Sequence, residues 1–230
     1  MTETLSLRAK IEQSPMGAYQ WMIVVMAAIM NLLDGFDVLA LAFTATAIRG
    51  EFGLTGIELG YLLSAGLFGM TAGSLFLAPL ADKIGRRPLL LMAVSLSAIG
   101  MLGSAFISQY QWLGFWRVIT GLGVGGILVG TNVITSEYSS RKWRSFAISV
   151  YAAGFGIGAV LGGMFAVMLQ GEYGWRSVFL AGAILTGLLL VVLFIWLPES
   201  IDFLTSKQPK NAEVRLNLIA KKIGLAGDWK

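Results

Sequence analysis

Two acidic residues interrupt the first long apolar stretch of this sequence. Asp34 and Asp37 lie between YQWMIVVMAAIM and LALAFTATAI. Residues three apart share a helix face, so both carboxylates point the same way, and Asn31 lies one turn earlier on that face. Burying a carboxylate in hydrocarbon is costly, and acids found there typically bind ligands or transfer protons. The pattern therefore predicts a functional polar stripe on one helix.

A single basic residue, Arg117, lies inside another apolar stretch. At ~1.5 Å per helical residue, Asp34 lies about 21 Å from Gln20, and Arg117 lies about 9 Å from Gln111. The two stretches run in opposite directions across a hydrocarbon core about 30 Å thick. Asp34 and Arg117 are therefore expected at a similar depth, roughly 9 Å below the outer surface.

The composition limits the chemistry that this chain can perform. Among 230 residues, 56% are hydrophobic, 13% are charged, and none is cysteine or histidine. Disulfides, thiol nucleophiles, histidine bases and cysteine or histidine metal sites are excluded, and no metal or cofactor is predicted. The apolar content predicts a membrane protein. The net charge of +4 comes from short basic clusters between apolar stretches, which argues against a nucleic-acid partner.

The apolar stretches predict an all-α protein that spans the lipid bilayer six times. A helix needs roughly 20 residues to cross the hydrocarbon core. No cleavable signal peptide is predicted, because the first apolar stretch is too long and follows a mixed polar segment. The six predicted spans are about 20–48, 58–80, 88–107, 112–136, 145–169 and 176–197.

The basic residues predict how the spans are oriented. Cytoplasmic loops are enriched in Lys and Arg. Only Arg49 and Arg176 fall on one side of the predicted membrane, and Arg117 falls within it. The other side holds Arg8, Lys10, Lys83, Arg86, Arg87, Arg141, Lys142, Arg144, Lys207, Lys210, Arg215, Lys221, Lys222 and Lys230. We therefore expect a multi-pass protein of the inner (plasma) membrane with both termini in the cytoplasm.

The chain divides into three predicted parts. A cytoplasmic tail at 1–18 precedes a transmembrane bundle at 19–198, and a cytoplasmic linker follows at 199–230. The linker contains NAEVRLNLIAKKIGL, which predicts a basic amphipathic helix with Val214 and Leu218 on one side. A surface helix is the simpler interpretation of this segment, and specific lipid binding is the alternative.

The loop after the second span, in LAPLADKIGRRPLLL, resembles the G-x-x-x-D-R-x-G-R-R signature of the major facilitator superfamily. Ala78 and Lys83 stand where the signature has glycine and arginine. The resemblance implies a loop that braces the inner face and helps to gate alternating access. Its implied residues are the acid Asp82, the turn residue Gly85, the clamps Arg86 and Arg87, and Lys83. The alternative is a plain basic anchor.

Other segments resemble the same superfamily. The Asp34-Gly35-Phe36-Asp37 stretch resembles the D-G-x-D signature of its aromatic acid:proton symporters, and Ser136-Glu137-Tyr138 also resembles that branch. Segments 117–125 and 154–163 resemble its motifs in spans four and five, and Pro198-Glu199-Ser200 resembles a motif after span six. The resemblance implies the N-terminal half of a twelve-span fold, built of 3+3 inverted repeats, with a second six-span half as a partner.

Glycines recur every four residues in several spans. Small residues at this spacing allow transmembrane helices to approach closely. A phosphate-binding loop is the competing interpretation, but the sequence lacks the preceding strand and the lysine that such a loop needs. We therefore predict helix packing for Gly121, Gly125, Gly154, Gly158 and Gly162.

The resemblance implies a proton-coupled symporter of small aromatic carboxylic acids. Spans one and four line the central cavity in this family, so we expect Arg117 to pair with an ionised Asp34 or Asp37 when no substrate is bound. A purely structural ion pair is the alternative role of these residues. Glu137 is expected near Arg86, Arg87 and Arg141, either as a local salt bridge or as an inner gate.

Three other functions remain open. The chain could be a six-span fragment or half-subunit that does not transport by itself. It could also belong to a carrier for sugars or other small metabolites. A membrane enzyme has little support, because the chain lacks histidine, cysteine and a clustered pair of surface acids.

Overall fold

The computed structural model describes residues 7–225, and all regular structure in that range is helical. The predicted terminal segments 1–6 and 226–230, including Lys230, lie outside the described residues. The helices of the described range are α1 (Leu7–Gln13), α2 (Ala18–Phe52), α3 (Gly56–Ile84), α4 (Arg86–Ala105), α5 (Tyr110–Tyr138), α6 (Arg144–Tyr173), α7 (Trp175–Trp196), α8 (Ile201–Lys207) and α9 (Ala212–Ile223).

Six of the described helices, α2 to α7, are long and apolar enough to cross a membrane. This confirms the predicted all-α fold with six spans. Each of these helices begins one or two residues before the predicted span. The ends of α2, α3 and α6 each lie about four residues beyond the predicted ends. Helix α2 continues to Phe52, where Gly53 ends it at φ 63° and donates its N–H to the carbonyl of Arg49.

The bundle repeats one packing arrangement. Helix α2 packs on α6 as α5 packs on α3, which relates α2–α4 to α5–α7 as two three-helix repeats. The closest approaches correspond as well. A Cβ atom at Gly158 would overlap the backbone of Leu32 in α2, and one at Gly73 would overlap the backbone of Leu122 in α5. Glycine at equivalent positions therefore sets the helix spacing in both repeats.

The six spans differ in how much of their surface the bundle covers. In the most apolar segments of α2 and α5, 61% of the residues are buried, compared with 17% in α3 and α6. The exposed residues of α3 and α6 include Phe68, Phe76, Leu161 and Met168. Helices α2 and α5 therefore form the interior of the bundle, where polar groups can be held away from lipid.

The short helices α1, α8 and α9 cover the end of the bundle at which the described part of the chain begins and ends. Ile11 of α1, Leu204 of α8 and Leu216 of α9 are buried in one cluster with Tyr138, the last residue of α5. Helix α9 lies in the predicted linker segment, and Val214 and Leu218 share its exposed side. Its inward face carries Ala212, Leu216, Ile219 and Ala220, and Val214 and Leu218 are exposed.

Candidate functional site

Helices α2 and α5 hold the predicted polar residues in the interior of the bundle. Asn31, Asp34 and Asp37 are at most 3% exposed, and so is Arg117. Gly35 lets α2 approach α6 here, because a Cβ atom at this position would overlap the carbonyl group of Phe155. The stripe predicted from the three-residue spacing is therefore enclosed by protein, as intramembrane charges require.

Neutral groups surround the guanidinium of Arg117. Its Nη2 donates to Ser104 Oγ at 3.0 Å and to Thr120 Oγ1 at 2.9 Å. Its Nη1 donates to the backbone carbonyl of Asp37 at 3.3 Å. The aromatic ring of Phe179 lies 4.8 Å from the guanidinium carbon, a distance suited to a cation–π contact. In the described part of the chain, the guanidinium of buried Arg117 is thus held by neutral hydrogen-bond acceptors and an aromatic ring, with no direct ion pair.

The ion pair that we expected between Arg117 and an acid is absent from the described part of the chain. The Asp37 carboxylate turns away from Arg117 because its Oδ2 accepts a hydrogen bond from Ser97 Oγ at 2.6 Å. Its Oδ1 lies against α7 beside Gly182, where an added Cβ atom would be 3.3 Å away. Among the described residues, the arginine therefore hydrogen-bonds to the Asp37 backbone and forms no direct ion pair with its carboxylate.

Each polar residue of the α2 stripe leaves one buried oxygen without a hydrogen bond. These oxygens are Asn31 Oδ1, Asp34 Oδ2 and Asp37 Oδ1, as judged among the described residues. The amide nitrogen of Asn31 donates to the carbonyl of Tyr151 in α6 at 2.9 Å. Buried polar atoms are rarely left unpaired, so unpaired oxygens on three successive turns mark a place where another group can bind.

A small cavity of about 30 Å³ opens beside Arg117. Asp37, Arg117 and Thr120 supply its polar wall, and apolar residues of α2, α3 and α5 such as Leu41 and Leu62 supply the rest. Asp34 does not line it, although it lies one turn from Asp37. A mainly apolar cavity with a few convergent polar groups is the usual form of a small-molecule site.

Sequence reasoning missed four of the groups around the site. Ser97 and Ser104 of α4 are seven residues apart, which places them on one helix face, and Thr120 is one turn after Arg117. These spacings were available in the sequence. Phe179 of α7 carried no such signal, because its contact with Arg117 depends on how the two helices are rotated.

The loop between α3 and α4 has the turn that its sequence predicted. Gly85 adopts φ 101°, and Asp82 Oδ1 lies 2.5 Å from Nη2 of Arg86 in a salt bridge within the loop. Arg87 reaches α7 instead and donates from Nη2 to the carbonyl of Phe194 at 2.7 Å. Lys83 is exposed. The implied acid therefore contacts one of its two implied clamps.

Glu137 has different partners from those expected. Its Oε1 accepts from Ser200 Oγ at 2.9 Å, and its Oε2 accepts from the backbone N–H of Ile201 at 2.8 Å. No salt bridge with an arginine is present among the described residues. The first N–H groups of α8 have no partner within their own helix, which is why they attract this carboxylate.

Known proteins resemble this chain along most of its length. The profile of the Major Facilitator Superfamily matches residues 27–223. The chain belongs to the major facilitator superfamily. It is 36% identical over 204 residues to the gallate transporter of Pseudomonas putida, covering 89% of this chain and 45% of that protein. It is 34% identical over 216 residues to the 4-hydroxybenzoate transporter PcaK of the same species, covering 94% and 48%.

Solved structures share the superfamily fold. The xylose transporter XylE of E. coli, in a partially occluded inward open conformation, matches with a TM-score of 0.79 at 22% identity. The match covers 90% of this chain and 56% of XylE. This chain thus has the fold of a six-helix superfamily half, and it spans about half the length of the curated relatives it matches. The family and these relatives are transporters, not enzymes.

The five glycines predicted to pack helices all lie at close approaches within this superfamily half. Added Cβ atoms at Gly121 and Gly125 would overlap the backbone of α3, and those at Gly154 and Gly158 would overlap α2. At Gly162 the obstacle would be the aromatic ring of Phe36, which lies between Asp34 and Asp37 in sequence. Glycines of α6 therefore fix how α2 presents its polar stripe.

Proposed function

We propose that this chain forms one half of a proton-coupled symporter of small aromatic carboxylic acids. The observation that carries the proposal is the cavity beside Arg117, whose polar wall combines a buried arginine with a buried acid. The gallate and 4-hydroxybenzoate transporters, which bear the names of aromatic acids, support the substrate class.

Arg117 is the proposed ligand of the substrate carboxylate. The hydroxyls of Ser104 and Thr120 hold its guanidinium in the absence of substrate. Both are neutral, so a carboxylate can replace them and gain two parallel, charge-assisted hydrogen bonds. The apolar residues that line the remainder of the cavity would contact the aromatic ring.

Asp37 is the proposed coupling acid. It lines the cavity with Arg117, whereas Asp34 does not. An ionised Asp37 would repel an incoming carboxylate, and a protonated Asp37 would not. Proton and substrate therefore bind together, and each must strengthen the binding of the other by the same factor. Asp34 and Asn31 extend the polar stripe one and two turns deeper and are proposed to hold or relay the proton.

We further propose that transport needs a second six-helix half. In twelve-span carriers the substrate site lies between two such halves. The exposed apolar faces of α3 and α6 offer the surfaces for this partner. The bias of basic residues puts both chain termini in the cytoplasm and the protein in the inner membrane.

The loop at Asp82 and Arg86 is proposed to act in gating, together with Glu137. Asp82→Asn would remove the salt bridge within the loop and leave the rest of the bundle unchanged. We expect this variant to reach the membrane in normal amounts but to transport more slowly. Normal transport by Asp82→Asn would reduce the loop to an anchor.

Uptake measurements test the proposal. Vesicles containing this chain together with a C-terminal half, for example that of the P. putida 4-hydroxybenzoate transporter, receive an inward proton gradient and labelled benzoate, 4-hydroxybenzoate or gallate. We expect accumulation of at least one acid, abolished by a protonophore. Benzamide and xylose serve as controls for the carboxylate and for the sugar alternative. Two outcomes would contradict the proposal: uptake of xylose but of none of the acids, or accumulation of an acid that does not depend on the proton gradient.

Two further measurements test the assembly and the orientation. Vesicles that contain this chain alone should show no accumulation, and robust uptake by a monomer would refute the need for a second half. A cytoplasmic reporter fused after Lys230 should be active. Activity of a periplasmic reporter at that position would refute the proposed topology.

A further inference from the structure

A basic cleft lies on the surface of the protein, far from the transport site. It is formed by the first turn of α2, the first turn of α4, the end of α7 and one face of α9, and its volume is about 180 Å³. Three basic residues line it, Arg87, Arg215 and Lys222. Among the described residues that line it, Glu199 is the one acid. The cleft therefore has a positive charge that the transport mechanism does not use.

The negative charge of Glu199 is already engaged. Its Oε1 accepts the backbone N–H of Arg87 at 3.0 Å and that of Ser200 at 2.9 Å. By contrast, the guanidinium of Arg215 has no hydrogen bond or ion pair among the described residues, and it is exposed. The Nε of Arg87 is buried and without a hydrogen-bond partner in the same part of the chain. The cleft thus offers free donors to an anion.

The position of the cleft along α7 places it at the membrane surface. Helix α7 has 22 residues, or about 33 Å, so its two ends lie near opposite boundaries of the hydrocarbon core. Trp196 ends the helix, is 54% exposed and lines the cleft. Tryptophan is enriched at the boundary between lipid tails and headgroups. Below it, the exposed apolar face of α7 includes Leu188 and Val191, which acyl chains can cover.

Helix α9 has the residues of a helix that lies on a membrane. Arg215, Leu218 and Lys222 recur at helical spacing and line the cleft together. Val214 and Leu218 are 60% and 55% exposed, although the opposite face of α9 is buried against the bundle. Exposed leucine and valine beside basic residues are typical of interfacial helices that contact anionic lipid.

We propose that this cleft binds the phosphate of an anionic phospholipid, with Arg87, Arg215 and Lys222 around the headgroup and the acyl chains along α7. Basic pockets at the ends of transmembrane helices are suited to such headgroups. Lipid binding here fixes α9 against the bundle and does not depend on the proposed substrate or on proton coupling.

A binding measurement on the purified 230-residue chain tests the site. The chain is titrated in mixed micelles with phosphatidylglycerol, with zwitterionic phosphatidylcholine, and separately with inorganic phosphate. We expect saturable binding of phosphatidylglycerol and a rise in melting temperature that phosphatidylcholine and free phosphate do not produce. Equal binding of the two lipids, or saturation by inorganic phosphate at equal concentration, would overturn the proposal.

A matched pair of charge variants locates the binding. The double variant Arg215→Gln/Lys222→Gln removes two charges from the cleft, and Lys207→Gln/Lys210→Gln removes two exposed charges outside it. About tenfold or weaker binding of phosphatidylglycerol is expected only for the cleft variant, since each basic residue contributes substantially to anionic lipid binding. Equal losses of phosphatidylglycerol affinity in both variants would mean that the lipid is attracted by overall positive charge, and would overturn the proposed site. Both variants should melt like the parent chain in phosphatidylcholine, which checks that they fold.

Discussion

The described part of the chain holds two pairs of buried carboxylates, and the two pairs differ in how completely they are hydrogen-bonded. At the end of the bundle covered by α1, α8 and α9, Glu137 and Glu199 are 2% and 6% exposed. Both oxygens of Glu137 accept hydrogen bonds, and Oε1 of Glu199 accepts two. In the middle of the bundle, Asp34 and Asp37 are 2% and 1% exposed, yet each has an oxygen with no hydrogen bond among the described residues.

Helix geometry explains the difference. Glu137 meets the first turn of α8, and Glu199 meets the first turn of α4, where backbone N–H groups have no partner in their own helix. The positive end of each helix dipole also favours a carboxylate there. Asp34 and Asp37 lie in the middle of a continuous helix, where no free N–H groups exist. The paired acids therefore stabilise the fold, and the unpaired acids are available for function.

Removing the charge of Asp37 should have the largest functional effect and a small structural one. We expect Asp37→Asn, in the vesicles with a second half, to lose accumulation of acid against a gradient but to retain exchange of labelled for unlabelled substrate. The unfolding free energy of the 230-residue chain should change by less than about 1 kcal/mol, because an incompletely paired buried charge contributes little stability.

The parallel variant Asp34→Asn distinguishes the two acids. If Asp37 is the coupling acid, Asp34→Asn should keep some accumulation. Full accumulation with unchanged pH dependence by Asp37→Asn would instead transfer the role to Asp34. The substitution Arg117→Lys should weaken substrate binding whichever acid couples, because an ammonium group lacks the planar fork of arginine.

Removing the Glu137 side chain should have the largest effect on stability. In Glu137→Ala, the Ser200 hydroxyl and the Ile201 N–H both lose a buried partner, and each orphaned group costs about 1–3 kcal/mol. We therefore expect a loss of about 2–4 kcal/mol in the unfolding free energy of the chain in detergent. Asp82→Asn is the control, because the side chain of Asp82 is 66% exposed. Equal losses in the two variants would refute the distinction between paired and exposed acids.

The sequence predicted the helices of this fold better than the contacts between them. A run of 20 apolar residues requires a spanning helix, and the three-residue spacing of Asp34 and Asp37 fixes their common face. Neither property reveals which neighbour that face meets. The hydrogen-bond partners of Glu137 lie more than sixty residues away in sequence. The prediction that arginines surround Glu137 rested only on its expected depth in the membrane.

The same limit applies to the site and to α9. Periodicity predicts that α9 has two faces and that Val214 and Leu218 share one of them, but only packing shows that Leu216 and Ile219 form the inward face. Burial of Arg117 was predictable, yet serine and threonine hydroxyls replaced the expected counter-ion. Hydroxyls are common in transmembrane helices, so only the three-dimensional structure distinguishes those that bind an arginine.

A conservative change at Glu199 should have a moderate effect. Glu199→Gln keeps a carbonyl oxygen that can accept the N–H groups of Arg87 and Ser200 but removes the charge from both bonds. Charge-assisted hydrogen bonds are roughly twice as strong as neutral ones, so we expect a loss of about 1–2 kcal/mol in unfolding free energy. Glu172→Gln, at an exposed position near the end of α6, should change stability by less than about 0.5 kcal/mol. A stability of Glu199→Gln equal to that of Glu172→Gln would contradict a structural role for the Glu199 charge.

Among these acids, Glu12 of α1 should have the smallest effect on stability. Its side chain accepts a hydrogen bond from Arg144 Nη2 at 2.6 Å. This bond holds the pKa of Glu12 below its ordinary value of 4.5. A lowered pKa contributes stability above the ordinary value, and the contribution disappears as the pH falls through the lowered one. Hydrogen exchange should therefore show α1 less protected in Glu12→Gln than in the parent chain at pH 7, with the difference vanishing in acid. In Arg144→Gln the further change Glu12→Gln should have a smaller effect, because only the weaker pair of Glu12 with Arg8 remains to be lost. A difference that persists in acid would mean that Glu12 holds α1 by some contact other than this charged pair.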